Sequence, residues 1–162
     1  MCWQCEHPNA KWPDYLDHIR DIIDSSGWAV QGVERFRLHP PWAYTVGLTE
    51  AGLPELVATG LSLPRATELL NEVAAHMLHA DSPLRPGEQI PLVGGPLIEI
   101  VELLEPSAHL YVATEIYGKV ISALQLVHAD DRGHWPWDVG YRGIRGGQPV
   151  LGPRSARSAT AA

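Results

Sequence analysis

The chain lacks the long apolar run of a membrane-spanning helix, since no stretch approaches the roughly 18 residues needed to cross a bilayer. Its first residues also lack the basic segment and apolar core of a secretory signal peptide. We therefore expect a cytoplasmic protein that makes no membrane contacts.

Basic residues are also scarce. The chain has 12 Lys and Arg against 19 Asp and Glu, which gives a formal net charge of −7. Residues 153–162 contribute Arg154 and Arg157 and no acid, so the rest of the chain is more acidic still. Because such a body repels phosphate backbones and anionic lipid, the composition disfavours nucleic-acid binding.

Only two cysteines occur, Cys2 and Cys5, and no second pair of metal ligands with matching spacing follows them. In a cytosolic chain this spacing is more typical of thiols, metal ligands or a redox pair than of a structural disulfide. Together with His7 they would supply three of the four ligands of a zinc ion. The fourth ligand would come from elsewhere in the chain, for which His39, His128 and His134 are candidates.

Three other interpretations of these cysteines stay open. The pair could be redox-active, although it precedes a predicted helix without following a strand. Removal of the initiator Met would expose the α-amine of Cys2, which could act as a base toward its own thiol. Alternatively, Cys5 is a small buried apolar residue and Cys2 lies in a frayed end.

The 162 residues fit one domain, whose elements follow from hydrophobic spacing. Apolar residues at helical spacing predict helices over residues 13–27 and 64–79. Residues 107–117 fit either a helix or a strand. Aromatic and β-branched segments predict strands over residues 28–37, 42–48, 55–60, 90–93, 97–104 and 119–129.

This order of elements indicates an α+β fold, a mainly antiparallel sheet with two to three packed helices. We expect a single domain over residues 1–152, with residues 1–11 and 130–152 irregular. Residues 153–162 are predicted to be a disordered tail.

Residues 128–138, at the end of the last predicted strand, hold two His, three Asp and two Trp. The candidates for catalysis among them are His128, Asp130, His134 and Asp138. A His beside a carboxylate is the smallest unit of general-base or metal-binding chemistry, and loops at strand ends often carry sites. The alternative is structural, with the acids forming a polar turn and the tryptophans covering the core.

A second group of residues indicates a pocket for a planar ligand. Six Trp and five Tyr in a small domain could line an apolar, stacking pocket for a flavin-like molecule. The candidate ligand contacts are Tyr44, Gln125, Trp135 and Trp137. Gln125 lies in an otherwise apolar strand, so its amide must bind either a ligand or, more commonly, a nearby backbone group. The turn at Gly146, Gly147, Gln148 and Pro149 is not a phosphate loop, because no Lys-Ser/Thr follows.

Several segments together resemble a bacterial family, the domain-of-unknown-function family 4262. They are MCWQC, GWAVQGV, AYTVGLTEAGLPELVATGL, LLNEVA, ALQLVHADDRGHWPWD and QPVLG. The resemblance spans roughly residues 1–152 and implies a compact stand-alone domain. It brings no established activity, so it assigns no catalytic residue. At the level of fold alone, YTVGL and PELVATGL followed by a helix also resemble split-barrel flavin-binding proteins.

Three functional hypotheses follow. The first is a metal- or thiol-dependent site, with zinc as the candidate metal, that joins Cys2, Cys5 and His7 to the loop at residues 128–138. The second is a binding module for an unknown small molecule such as a flavin. The third is a non-catalytic interaction domain, for instance a homo-oligomer, in which the Trp-rich loop is the interface.

Overall fold

The computed structural model describes residues 3–155, apart from the side chain of Gln4, and its centre is a six-stranded sheet. The strand order is β1-β2-β3-β6-β5-β4, and every neighbouring pair is antiparallel except β3 and β6, which are parallel. The strands are β1 (Ala29–Val33), β2 (Trp42–Val46), β3 (Glu55–Thr59), β4 (Gln89–Pro91), β5 (Leu97–Glu102) and β6 (Ala123–His128). The α+β class expected from the sequence is confirmed. The sheet is open and not the split barrel that the YTVGL–PELVATGL resemblance suggested.

The helices divide between the two faces of the sheet. They are α1 (Trp3–Glu6), α2 (Trp12–Ser26), α3 (Leu63–His79), α4 (Pro106–His109) and α5 (Tyr111–Tyr117), with a short 3-10 helix at Leu48–Ala51. Helix α3 packs its buried stripe on one face, against residues such as Leu56, Ile100 and Leu126. Helices α2 and α5 pack on the other face, around Tyr44 and Val57. In the described part of the chain, no helix is long and apolar enough to span a bilayer.

Two segments differ from the sequence prediction. Residues 3–6, predicted to be irregular, form the single turn α1, which is held by ring contacts from Trp3 to Tyr15 and His18. Residues 107–117, which fitted helix or strand, lie in α4 and α5. Helix α5 is fixed at its start because the backbone N–H of Val112 donates to the hydroxyl of Tyr44 at 3.1 Å.

The central strand β6 is paired with β3 over only three residues, Glu55 to Val57 with Ala123 to Gln125. After Gln125, side-chain amides make hydrogen bonds on this side of β6, where a neighbouring strand would otherwise pair. The amide of Gln125 is fully buried, donates to the Pro149 carbonyl at 2.7 Å and accepts from the Leu151 N–H at 2.7 Å. The expectation that this amide binds backbone groups is therefore confirmed. It docks residues 149–151 onto the sheet.

Close approach by this C-terminal segment requires a glycine at position 60. Gly60 has φ +73, and a Cβ there would lie 2.7 Å from the Gly147 carbonyl oxygen. Farther along, Arg154 forms an ion pair with the buried carboxylate of Glu99 at 3.1 Å. Packing thus continues beyond residue 152, where the sequence placed the start of a disordered tail.

Replacing Gln125 with Leu should release the C-terminal segment. The change leaves the Leu151 N–H without its partner, at a cost of about 1–3 kcal/mol, and leaves the Pro149 carbonyl with the Thr59 hydroxyl as its remaining donor. Hydrogen exchange measures this directly: the Leu151 amide should exchange faster in the variant. The Val127 amide, which faces Glu99 in the β5–β6 ladder, should keep its protection and serves as the internal control. Unchanged exchange at Leu151 would show that Gln125 does not hold the segment.

Candidate functional site

A polar cleft of about 750 Å³ lies at the carboxyl end of β6, on the face covered by α3. Its lining comes from the start of α3 with the loop before it, from the turn between β4 and β5, and from the end of β6 with the loop that follows. The residues include Gly60, Arg65, Glu68, Leu69, Glu72, Leu92, Pro96, His128, Asp130, Asp131, Tyr141 and Arg142.

His128 is the titratable residue of this lining with the smallest exposed fraction. Only 6% of the residue is exposed, and Nε2 forms no hydrogen bond with a described residue. Nδ1 has only a long contact, 3.4 Å to the Ala129 carbonyl. His128 continues the face of β6 that carries Leu124 and Leu126, because alternate residues of a strand point the same way. A buried polar atom without a partner is uncommon and requires an explanation, such as a bound water or a ligand.

The environment of His128 favours the neutral ring. Burial lowers its pKa below 6.5, and the nearby Arg65 charge lowers it further. The carbonyls of Ala129 and Thr59 and the charge of Asp131 raise the pKa again but do not compensate for burial. The Thr59 carbonyl acts through its proximity, since its geometry does not amount to a hydrogen bond. At neutral pH the ring can therefore accept a proton or a hydrogen bond at one nitrogen and donate at the other.

The side chain of Gln148 fixes the backbone on which His128 stands. Its Oε1 accepts from the His128 N–H at 2.9 Å, and its Nε2 donates to the His128 carbonyl at 2.9 Å. The same amide donates to the hydroxyl of Tyr141 at 2.8 Å. Burial raises the pKa of Tyr141, the Gln148 bond lowers it, and Asp130 raises it, with a net increase. One amide thereby positions both the imidazole and a neutral phenol of the cleft.

Asp130 lines the cleft, but its carboxylate is used in hydrogen bonds that fold the following loop. Its carboxylate accepts from three backbone N–H groups, those of Arg132 at 2.9 Å, His134 at 2.8 Å and Arg142 at 2.9 Å. Burial raises its pKa, but these donors outweigh burial and lower it to about 2. A carboxylate with so low a pKa and three donors is a poor general base. Its role is to fold the loop that carries Tyr141 and Arg142.

The other two catalytic candidates lie outside the cleft lining. Asp138 accepts from the Trp135 N–H at 2.8 Å, which is the turn-capping alternative considered from the sequence. His134 is partly exposed, with Nδ1 3.5 Å from the Asp130 carboxylate. Of the four residues predicted to be catalytic, the fold brings His128 and Asp130 into one cleft. His134 Nδ1 is buried without a hydrogen bond, as His128 Nε2 is, but His134 does not line the cleft.

The residues predicted to contact a planar ligand do not form a pocket together. Tyr44 and Gln125 are buried, and their polar atoms are used by Val112 and the C-terminal segment. Trp135 and Trp137 stack on each other with ring centroids 5.4 Å apart. The Arg154 guanidinium lies 3.9 Å from the Trp137 ring, so the two indoles pack against the ion pair with Glu99. None of the four lines the cleft.

The N-terminal candidates lie on the other side of the sheet. His7 stacks on Trp3 at 4.4 Å and Trp3 stacks on His18 of α2, which packs on the face opposite α3. Cys5 is exposed, and Cys2 lies outside the described residues. Among residues 3–155 no three His, Cys, Asp or Glu side chains gather as metal ligands. The described residues therefore do not form the composite site, and a zinc site involving Cys2 stays a prediction.

The remaining buried carboxylates are satisfied internally. Glu55 accepts from the hydroxyls of Thr45 and Thr49 at 2.6 and 2.7 Å and from the N–H groups of Gly47 and Thr49 at 3.0 Å. Glu99 is held by Arg154 and by the Gln89 amide at 3.1 Å. The oxygens of both carboxylates already accept hydrogen bonds within the protein, so neither carboxylate is available to bind a metal ion or a ligand.

Four residues of this region have no individual signal in the sequence: Arg65, Tyr141 and Arg142 in the lining, and Gln148 behind it. Arg65 occurs on a predicted helix, where an exposed Arg carries no signal. Gln148 lies in a segment whose sequence predicts only a turn. The one signal for Gln148 is its position before Pro149 in a long glycine-rich segment. Long irregular segments in small domains usually pack against the rest of the fold.

A model of the family described as Domain of unknown function (DUF4262) matches residues 22–142. The chain belongs to this family. The matched part of the DUF4262 chain includes all six strands, α3 and most of the cleft lining, from Gly60 to Arg142, and it stops before Gln148. No curated protein matches the chain significantly. No solved structure matches it either.

The buried neutral His128 should make this protein less stable in acid. Since its pKa is below 6.5 when folded, the unfolded chain binds more protons as the pH falls, and the free energy of unfolding falls with it. The contribution of the neutral His128 ring to the free energy of unfolding is fully present well above pH 6.5. It is lost as the pH falls from 6.5 to the lower pKa of the folded state. His128→Gln removes it, so within that window the wild type should lose up to about 1.4 kcal/mol per pH unit relative to the variant.

Urea unfolding of both proteins at several pH values between about 8 and 5 checks this, because the other histidines cancel in the comparison. Parallel curves for wild type and variant would contradict a depressed pKa at His128.

Proposed function

We propose that this protein is a small-molecule-binding module and that its ligand site is the cleft above His128. The observation that carries the proposal is the His128 ring, which is 6% exposed, lines the cleft and has no hydrogen bond at Nε2. A buried polar atom left unsatisfied costs stability, and a ligand that bonds to it recovers that loss. The two hydrogen bonds from the Gln148 amide also hold the His128 backbone in place before a ligand arrives, which reduces the entropy lost on binding.

The lining favours a polar ligand over a planar flavin. Tyr141 is the only aromatic residue in it, and the two stacked tryptophans pack elsewhere. Charged side chains occupy several positions along the walls, among them Arg65, Glu72 and Arg142. A ligand recognised by hydrogen bonds and charge fits this surface better than an isoalloxazine ring, whose affinity depends on apolar stacking.

A metal- or thiol-dependent activity has weaker support. Its only described thiol is Cys5, on the side of the sheet away from His128, and its second sulfur would be Cys2. Metal analysis of tag-free protein distinguishes the two functions. Zinc that binds stoichiometrically and is lost on changing Cys2 and Cys5 to Ser would favour the metal site.

Screening a library of polar metabolites by amide chemical shifts tests the binding proposal. Compounds that bind should shift the signals of residues 60–72, 92–96, 128–131 and 141–144, which surround the cleft. Their affinity should fall about tenfold, equivalent to 1.4 kcal/mol, in His128→Leu, because the apolar side chain offers no hydrogen bond. His128→Gln should recover part of the affinity.

His76→Gln provides the matched control, since His76 is exposed on α3 and does not line the cleft. All variants should keep the wild-type pattern of core signals, so that lost binding is not confused with unfolding. Hits that map to other surfaces, or that bind His128→Leu as tightly as wild type, would refute this assignment.

A further inference from the structure

The C-terminal segment connects the cleft to a buried ion pair. At one end of it, the Gln148 amide holds both backbone groups of His128. Six residues later, the Arg154 guanidinium donates to both oxygens of the fully buried Glu99 carboxylate at 3.1 Å. Residues 148–154, which we term the strap, therefore hold a cleft residue at one end and a buried charge at the other.

The strap is also bonded to the sheet between its two ends. The Pro149 carbonyl accepts from the Thr59 hydroxyl at 2.8 Å and from the Gln125 amide at 2.7 Å. The Leu151 N–H donates to the Gln125 carbonyl oxygen at 2.7 Å, and the Leu151 carbonyl accepts from the Leu104 N–H at 3.2 Å. The anchored residues are at most three positions apart, so a displacement at one anchor reaches the next.

Contact between the strap and β5 is closest at Gly152. A Cβ at this position would lie 1.8 Å from the Glu102 carbonyl oxygen, so no side chain fits there. Two residues later, the Arg154 guanidinium lies 3.9 Å from the centre of the Trp137 ring, which gives it a second contact besides its ion pair. The strap is thus packed against the sheet as well as hydrogen-bonded to it.

From these contacts we propose that the strap controls the ligand site: docking of Arg154 on Glu99 holds Gln148 in position, and release of Arg154 loosens the His128 backbone. Withdrawal of the strap breaks the two bonds between Gln148 and His128. By reciprocity, a ligand that requires the docked geometry stabilises the docked strap by the same free energy. The inference rests on the proposed binding function only in treating the cleft as the ligand site.

The amides around His128 distinguish the strap from a second route through the sheet. Glu99 faces Val127 in the β5–β6 ladder, so a perturbation at Glu99 could also pass directly into β6. The His128 N–H donates to the strap, whereas the Ala129 N–H donates to the Leu97 carbonyl of β5 at 3.0 Å. Transmission through the strap opens the first of these bonds and leaves the second closed.

Hydrogen exchange in Arg154→Gln measures this transmission. Loss of one partner from a buried ion pair is strongly destabilising, so the Leu151 and His128 amides should exchange at least about tenfold faster. The Ala129 amide should keep its wild-type rate. Arg85→Gln is the matched control, because it removes an exposed arginine outside the strap and the cleft lining, and it should leave all three rates unchanged.

Two further variants keep the test decisive if Arg154→Gln does not fold. Arg154→Lys retains the charge beside Glu99 but loses the bidentate bond and the planar contact with Trp137, so the same amides should change less. Gly152→Ala displaces the strap without changing any charge, since the new Cβ has no room beside β5. It should also speed exchange of the His128 amide.

Faster exchange at Leu151 with an unchanged His128 amide would overturn the proposal, because the strap would then move without disturbing the cleft. Opening of His128 and Ala129 together would assign the effect to the sheet and overturn it as well. Unchanged exchange at both Leu151 and His128 would show that the ion pair does not hold the strap. All these measurements use the protein without ligand, so their failure leaves the binding function to the metabolite screen, and failure of the screen leaves the coupling intact.

Discussion

The incomplete pairing of β6 with β3 is the constraint on which the rest of this structure depends. A central strand cannot leave its backbone groups buried without partners. Only three residues of β3 pair with β6, so other groups must satisfy the carboxyl half of that strand. For His128 these groups are on the Gln148 amide, which bonds both its N–H and its carbonyl. Gln125 holds the C-terminal segment that follows Gln148. The gap in the sheet and the cleft therefore have the same origin.

This arrangement explains how the backbone around His128 is held. Both of its backbone groups bond to the Gln148 amide, and the neighbouring Ala129 N–H donates to the Leu97 carbonyl of β5 at 3.0 Å. The Asp130 turn that follows is fixed by three backbone donors. The backbone is thus bonded on both sides of a ring whose Nε2 has no partner among the described residues.

The sequence was sufficient for much of the fold and for little of the site. Apolar periodicity located α2, α3 and all six strands, because burial on one face imposes it. The parallel contact between β3 and β6 had no local signal, since it joins residues about 70 positions apart in the chain. His128 and Asp130 stood out by residue type. Gln148 and Arg65 did not, because their importance comes from neighbours that are close only after folding.

The same parallel contact sets the order in which the molecule can assemble. Antiparallel neighbours such as β1 and β2 are connected by residues 34–41, whereas β3 and β6 must close a loop that contains α3, β4, β5, α4 and α5. Closing so large a loop costs more entropy than closing a short one, and contacts between residues distant in the chain slow folding. The cleft needs β6, α3 and the loop after β6 together, so it forms only after this loop has closed. Until then the chain carries a sheet edge open to pairing with other molecules.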